Sequence, residues 1–327
     1  MGLWLLDTDT LAGSRFSVSE LAEVTAVFLM LQERRAKHPG EHETLTAHAP
    51  AYRELLAADP VLDTLADAVV GHRAWLADFL TPATAYEPGH TFEEELAVVR
   101  ATAPHQARAD LVVSRPGPLP PVLDRDDVPE LLGGLLTWVW TRIVRPEWPR
   151  RRRALEADIV ARTRHLTQGG WSAALDDMRP GMRWLGEGRL QINMHDYPPK
   201  DISGKRLLFI PVTPSRGWVA WDLSDLYVLT YPCHGVLAGA DRERQPPLAL
   251  GRLLGPHRAA ALMLLGTPMS TTQLVALTGQ GLGSVGRHLK VLYDARLIAR
   301  RRSGRSVLYY RTEAGDVLVR AQTGPVR

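Results

Sequence analysis

The sequence predicts an α+β chain that is mainly helical: a helical N-terminal region carrying a small antiparallel sheet, then a C-terminal group of short helices ending in a β-hairpin. Three patterns point there. Apolar residues recur at intervals of three and four over 17–35, 128–144 and 282–292, the period of a helix buried along one side. Between 189 and 231, four short runs rich in β-branched and aromatic residues are separated by turn residues, as strands are. Two more such runs flank Ser303-Gly304, which reads as a hairpin.

In chain order, Ser17-Val18-Ser19-Glu20 reads as a capping box that opens a helix to about Arg35, with Leu21, Val24, Phe28 and Leu31 on its inner face. His38-Pro39-Gly40 ends it. Further helices are expected over 44–57, 60–80 and 91–102. His38, His42, His48, His72, His90 and His105 are scattered among these elements, and no cysteine or carboxylate set completes a metal site around them. The proline-dense RPGPLPP at 115–121 reads as a linker or an extended crossing segment. The helix over 128–144 is apolar on most of its surface, which suits burial in the domain or a dimer contact, and Trp138, Trp140 and Trp148 are read as core before pocket. After Pro149 the run RRRRALEADIVARTRHL is basic and is read as a solvated face before a contact to DNA flanks; a short helix follows over 171–178.

The four expected strands lie at 189–195, 206–212, 217–221 and 226–231. Cys233 and His234 are adjacent, but neighbours on an extended chain point apart, so the pair needs a third group before it is a nucleophile site. Together with His195 and Asp196 it marks where an enzyme would have its chemistry.

The C-terminal stretch is the most informative. Leu253–Leu265 is an apolar helical run broken at Thr267-Pro268, after which Ser270, Thr271 or Thr272 caps a short helix whose first N–H groups suit a phosphate. Gly279, Gly281 and Gly283 make the turn into the next helix, without the preceding strand or the lysine a nucleotide loop needs. On that helix Leu282, Val285, Leu289 and Leu292 form an inward stripe. Ser284, Arg287, His288 and Val291 take another face, where a hydroxyl, a guanidinium and an imidazole can bond base edges and phosphates. LIARRR and RSVLYYR then form an arginine-rich wing. The candidate DNA-binding residues are Thr271, Thr272, Ser284, Arg287, His288, Lys290, Arg301, Arg302 and Arg305.

Charge supports this placement. Residues 251–327 hold twelve Lys/Arg against three carboxylates, whereas the rest of the chain is net acidic although the total is +3. At 327 residues two or three small domains are expected, here 1–243 and 244–327. No run approaches the roughly 20 apolar residues of a membrane span. MGLWLLDTDTLAG lacks the basic n-region of a signal peptide, and the single cysteine, Cys233, excludes an intramolecular disulfide framework, so a cytoplasmic protein is expected. Arginine outnumbers lysine 35 to 4, as in GC-rich bacterial genomes.

The stretch GRHLKVLYDARLIARRRSGRSVLYYR is similar to the recognition helix and wing of ArsR-type winged-helix repressors, a resemblance that covers about the last 80 residues. Gly286 stands where that family usually has serine, Gly281 where a serine cap is common, and Arg296 where glycine is usual. More weakly, LLFIPV and TYPCHG resemble strands of a sensory extension in some GC-rich bacterial ArsR-like regulators. The family's thiolate pair is absent, since TTQLVAL holds no cysteine, histidine or carboxylate, so neither metal nor cofactor is expected. The resemblance implies a non-enzymatic regulator that binds double-stranded DNA as a homodimer, with a small-molecule effector or partner at the N-terminal domain. An enzyme domain fused to a DNA-targeting winged helix and a non-specific architectural DNA-binding protein are the alternatives.

Overall fold

The computed structural model describes residues 2–71, 75–115, 117–175, 178–194, 198–221, 225–233, 248–266, 268–278, 280–303 and 306–321. The chain is α+β and mainly helical. It divides into two compact units, one of Met1–Lys37, Glu41–Pro149 and Arg162–Cys233, the other of His38–Gly40, Arg150–Ala161 and His234–Arg327. The expected boundary at 243/244 lies outside the described residues. Among the described residues no helix is long and apolar enough to cross a membrane.

The chain opens with strand β1 (Leu3–Leu5), helix α1 (Thr8–Gly13) and strand β2 (Arg15–Phe16), none of which was anticipated. Helices α2 (Glu20–Glu33), α3 (Pro39–Ala58), α4 (Pro60–Val69), α5 (Phe92–Arg100), α6 (Pro104–Ser114) and α7 (Val128–Val139) follow. α2 starts where its pattern predicts, yet its cap is Ser19 alone, whose Oγ accepts from Ala22 N at 2.9 Å. Glu20 is used elsewhere. Its carboxylate accepts from Phe92 N at 2.8 Å, and Glu95 of α5 accepts in return from Leu21 N at 2.7 Å. Each helix thereby lays a carboxyl oxygen on an unsatisfied N–H group at the start of the other.

Every residue of α2 from Leu21 to Leu31 is buried, so the helix is central and not one-sided. The helix expected over 60–80 stops at Val69 because the chain must pass α6 closely: a Cβ on Gly71 would lie 1.6 Å from Ser114 O. RPGPLPP is not a linker between domains, since Leu119 and the buried Leu123 pack into the same core as the helices around it. α7 runs through a π-helical turn at Trp140–Val144 into α8 (Arg145–Leu175), which Gly170, at φ 67°, interrupts before the short final segment. Trp140 is buried and stacked on Phe92 with ring centroids 4.8 Å apart, as the core reading requires.

The expected single antiparallel sheet is instead two mixed sheets. Strands β3 (Arg183–Gly186), β4 (Arg189–Gln191) and β5 (Lys200–Asp201) join β1 in the order β3-β4-β1-β5, with β1 antiparallel to β4 and parallel to β5. Strands β6 (Arg206–Val212), β7 (Val219–Trp221) and β8 (Leu226–Pro232) form the second sheet with β2, in the order β2-β6-β8-β7. β6 and β8 pair in parallel from Arg206↔Leu226 to Val212↔Pro232, and only β7 is antiparallel. The physical reason is written in the strands. LLFIPV is an unbroken apolar run and LYVLTY is interrupted only by the buried Thr230, the mark of strands covered on both faces, whereas an antiparallel meander with one wet face alternates. Leu208, Ile210, Val212, Leu226 and Val228 face the helical core, while Leu207, Phe209, Tyr227, Leu229 and Tyr231 face a second core with Trp4 and Leu190.

In the second unit the expected helix Leu253–Leu265 is broken at Gly255, at φ 83°, into α9 (Leu248–Leu254) and α10 (Pro256–Leu264). There follow β9 (Met269–Ser270), α11 (Thr271–Thr278), α12 (Leu282–Asp294), β10 (Ile298–Ser303), β11 (Ser306–Arg311) and α13 (Glu313–Arg320). The strands pair antiparallel in the order β10-β11-β9. Leu262, Leu265, Met269, Leu274, Val285, Leu289, Leu292 and Ile298 form the core. In the basic run of α8, Arg151 is buried and not on a solvated face.

Candidate nucleic-acid interface

Helix α12 carries the candidate residues, and its inward face explains how they are held. Val285, Leu289 and Leu292 are each at most 2 % exposed, as the stripe predicts. Leu282 is not part of it, being 63 % exposed, because it is the first helical residue after the uncapped Gly281 and extends past the core. At the other end Arg296 takes the left-handed conformation, φ 58°, at the place where glycine is usual. An arginine there costs about 1 kcal/mol of backbone strain. Its carbonyl accepts from Thr312 Oγ1 at 2.7 Å, which anchors the turn from α12 into the hairpin.

The candidate residues do not form one uniform face. Arg287 is exposed and makes no hydrogen bond or ion pair among the described residues. Lys290 is exposed too, but its Nζ lies 3.2 Å from Asp294 Oδ2, one turn on. Ser284 and His288 are half-buried and engaged: Ser284 Oγ donates to Gln280 Oε1 and meets His288 Nε2, both at 3.2 Å. Gln280 Nε2 in turn lies 2.9 Å from His257 Nδ1, and the two imidazoles stack with centroids 5.8 Å apart. Burial, and then the charges of His257, Arg258 and Arg287, hold His288 below its ordinary range. Ser284 and His288 thus belong to a polar cluster that ties α12 to α10. His257 was missed because no local pattern links it to Gln280, 23 residues on, while Gln280 lies only four residues before Ser284.

Ser270 is the cap of α11, its Oγ accepting from Gln273 N at 3.2 Å while Ser270 N donates to Gln273 Oε1 at 2.7 Å. Thr271 and Thr272 are thus the first two residues of that helix, both half-buried. On the hairpin, Arg300 pairs across to Tyr309, Arg301 to Leu308 and Arg302 to Val307. Side chains alternate along a strand, so Arg300 and Arg302 share the face of Ile298 and Arg301 points to the other. Arg301 and Arg302 are both exposed, and Arg300, not among the candidates, lies 4.9 Å over the Tyr293 ring of α12. Arg305 lies outside the described residues.

Elsewhere, Cys233 is buried and its N–H donates to Val212 O at 2.9 Å, while His195, Asp196 and His234 lie outside the described residues. Among the described residues no three His, Cys, Asp or Glu side chains are grouped to hold a metal ion. No protein-family model, curated protein or solved structure matches the chain.

Proposed function

We propose that this chain is a DNA-binding transcription regulator, an ArsR-like winged helix-turn-helix protein of the bacterial cytoplasm whose second unit binds double-stranded DNA. The observation that carries the reading is the exposed, unpaired Arg287 on α12, next in the chain to a hairpin bearing Arg300, Arg301 and Arg302, within a strongly basic stretch. α11, the short turn and α12 have the order of a helix-turn-helix, and β10–β11 that of its wing. A homodimer follows from readout: one helix contacts too few bases for tight specific binding, and twofold pairing doubles them. The first unit then biases the binding-competent dimer through a small molecule or partner.

The reading separates arginines that specify from arginines that hold. Arg287 can reach guanine O6 and N7 in a bidentate pair worth about 1 to 3 kcal/mol of discrimination. Arg302 on the hairpin is placed for phosphates. Genomic fragments selected by the chain supply an operator, and affinities for it and for scrambled DNA are measured across a salt series. Arg287→Ala should lose operator preference, whereas Arg302→Ala should weaken both DNAs alike and reduce the salt slope by about 1. If no fragment is enriched, or if the two variants exchange their effects, the assignment fails.

Stoichiometric zinc, cadmium or arsenite should leave operator affinity unchanged, because α11 carries no thiolate, imidazole or carboxylate. Metal-dependent release at micromolar metal, seen by fluorescence anisotropy, would contradict this.

A further inference from the structure

The first unit encloses a cavity of about 330 Å³ that no residue argued above uses. Its walls are Trp4 of β1, Trp75, Trp218 and Trp221 of β7, with Arg179 and Lys200 as cations. Trp4 and Trp218 are buried, while Trp221 is 41 % exposed and stands at the edge. Lys200 Nζ lies 4.5 Å over the Trp221 ring, so its charge is already set against an aromatic face. Arg179 differs. Its Nη1 is shut off from solvent and has no hydrogen-bond partner among the described residues. Burial alone lowers its guanidinium to about 10. Arg216 lines the same space but is paired with Glu33, and Asp78 is the only carboxylate on the wall among the described residues.

A second, wider hollow of about 640 Å³ shares Arg179, Arg216 and Gly217 with the first and is lined mostly by polar residues. Leaving a charged N–H buried without an acceptor costs more than leaving a neutral one so, and a bound anion removes that cost.

We propose that this cavity is a binding site for a small aromatic monocarboxylate, its ring among Trp4, Trp75, Trp218 and Trp221 and its carboxylate on Arg179. The cavity lies within the volumes typical of small-molecule pockets, and four rigid indoles favour a flat apolar body. Among the described wall residues Arg179 is the cation neither paired with a carboxylate nor laid over a ring, which suits a single carboxylate. The inference rests on the regulator reading only in naming this ligand an effector.

The test is calorimetric titration of the full chain, without DNA, with benzoate, indole-3-acetate and 2-naphthoate, each beside its primary alcohol. At least one acid should bind one-to-one with sub-millimolar affinity, roughly tenfold to a hundredfold tighter than its alcohol, as a charge-assisted bond gives. Arg179→Met should abolish that preference and Arg179→Lys keep part of it, while Arg287→Ala binds as the native chain does. Should Arg179→Met fail to fold, the acid-to-alcohol ratio of the native chain decides alone. Saturation by no acid, equal affinity of acid and alcohol, or a preference untouched in Arg179→Met overturns the proposal. Such a failure sinks the ligand site alone, whereas failure to enrich any DNA sinks the regulator reading and leaves this site standing.

Discussion

Glutamine in place of Glu95 is expected to remove a pH dependence of stability that the native chain carries between about pH 4.5 and 8. Glu95 is 1 % exposed, and burial pushes its carboxyl from 4.5 up to about 8, against the opposing hydrogen bond from Leu21 N. The folded chain thus holds this proton more tightly than the unfolded chain does. Stability from the protonated group is complete below about pH 4.5 and is lost as pH rises through about 8. At about 1.4 kcal/mol per pH unit the loss between pH 5 and 9 comes to about 4 kcal/mol, or roughly 10 °C in melting temperature. Glutamine keeps an acceptor for Leu21 N and has no proton to lose. Thermal unfolding at pH 5, 7 and 9 should show the variant level where the native chain falls. Parallel curves would mean that Glu95 ionises without cost.

A comparable loss is expected from Glu23→Ala, by a different route. Glu23 is fully buried on α2, and its carboxylate accepts from Thr213 N at 2.7 Å and from Thr213 Oγ1, just beyond the end of β6. Alanine leaves a backbone donor and a hydroxyl without an acceptor in a closed interior, at about 1–3 kcal/mol each, beside a void. The urea midpoint should drop by an amount equivalent to about 3–5 kcal/mol. Glu23→Gln should cost less, since its carbonyl still accepts from Thr213 N while its amide can donate to the Thr213 hydroxyl, which turns from donor to acceptor. An alanine variant within about 1 kcal/mol of the native chain would show that water takes over both bonds.

What was legible in the residues follows the range of the interactions. Val285, Leu289 and Leu292 are one helix face and needed only a period of 3.6 to be read. The hairpin and its arginines were equally local. Glu20 was read as partner to Ser17 because a capping box spans four residues, whereas its true donor is Phe92 N, 72 residues away. The same limit hid the link from Gln280 to His257, 23 residues away, whereas the contacts of Ser284 with Gln280 and His288 span only four residues each. Strand order failed for another reason. The runs at β6 and β8 were visible, but their lack of alternation was not used, and with it went the parallel pairing. The cavity was invisible because its tryptophans come from β1, β7 and two separate loops, while the ones singled out, Trp138, Trp140 and Trp148, pack in the helical core.

β1 sits inside its sheet, between β4 and β5, and β2 pairs with β6, so the leading residues depend on partners made far later. Thr10 Oγ1 donates to Ile202 O across 192 residues. On a ribosome adding about 5–20 residues per second, that is a wait on the order of 10 to 40 s during which Leu3–Leu5 has emerged but has no neighbour to pair with. The α2 helix is made early and can collect its helical companions meanwhile, but the two sheets cannot close until translation has passed Asp201 and Pro232. A short apolar strand is left unpaired for that long, and the pace of translation across the intervening helices sets how long it stays so.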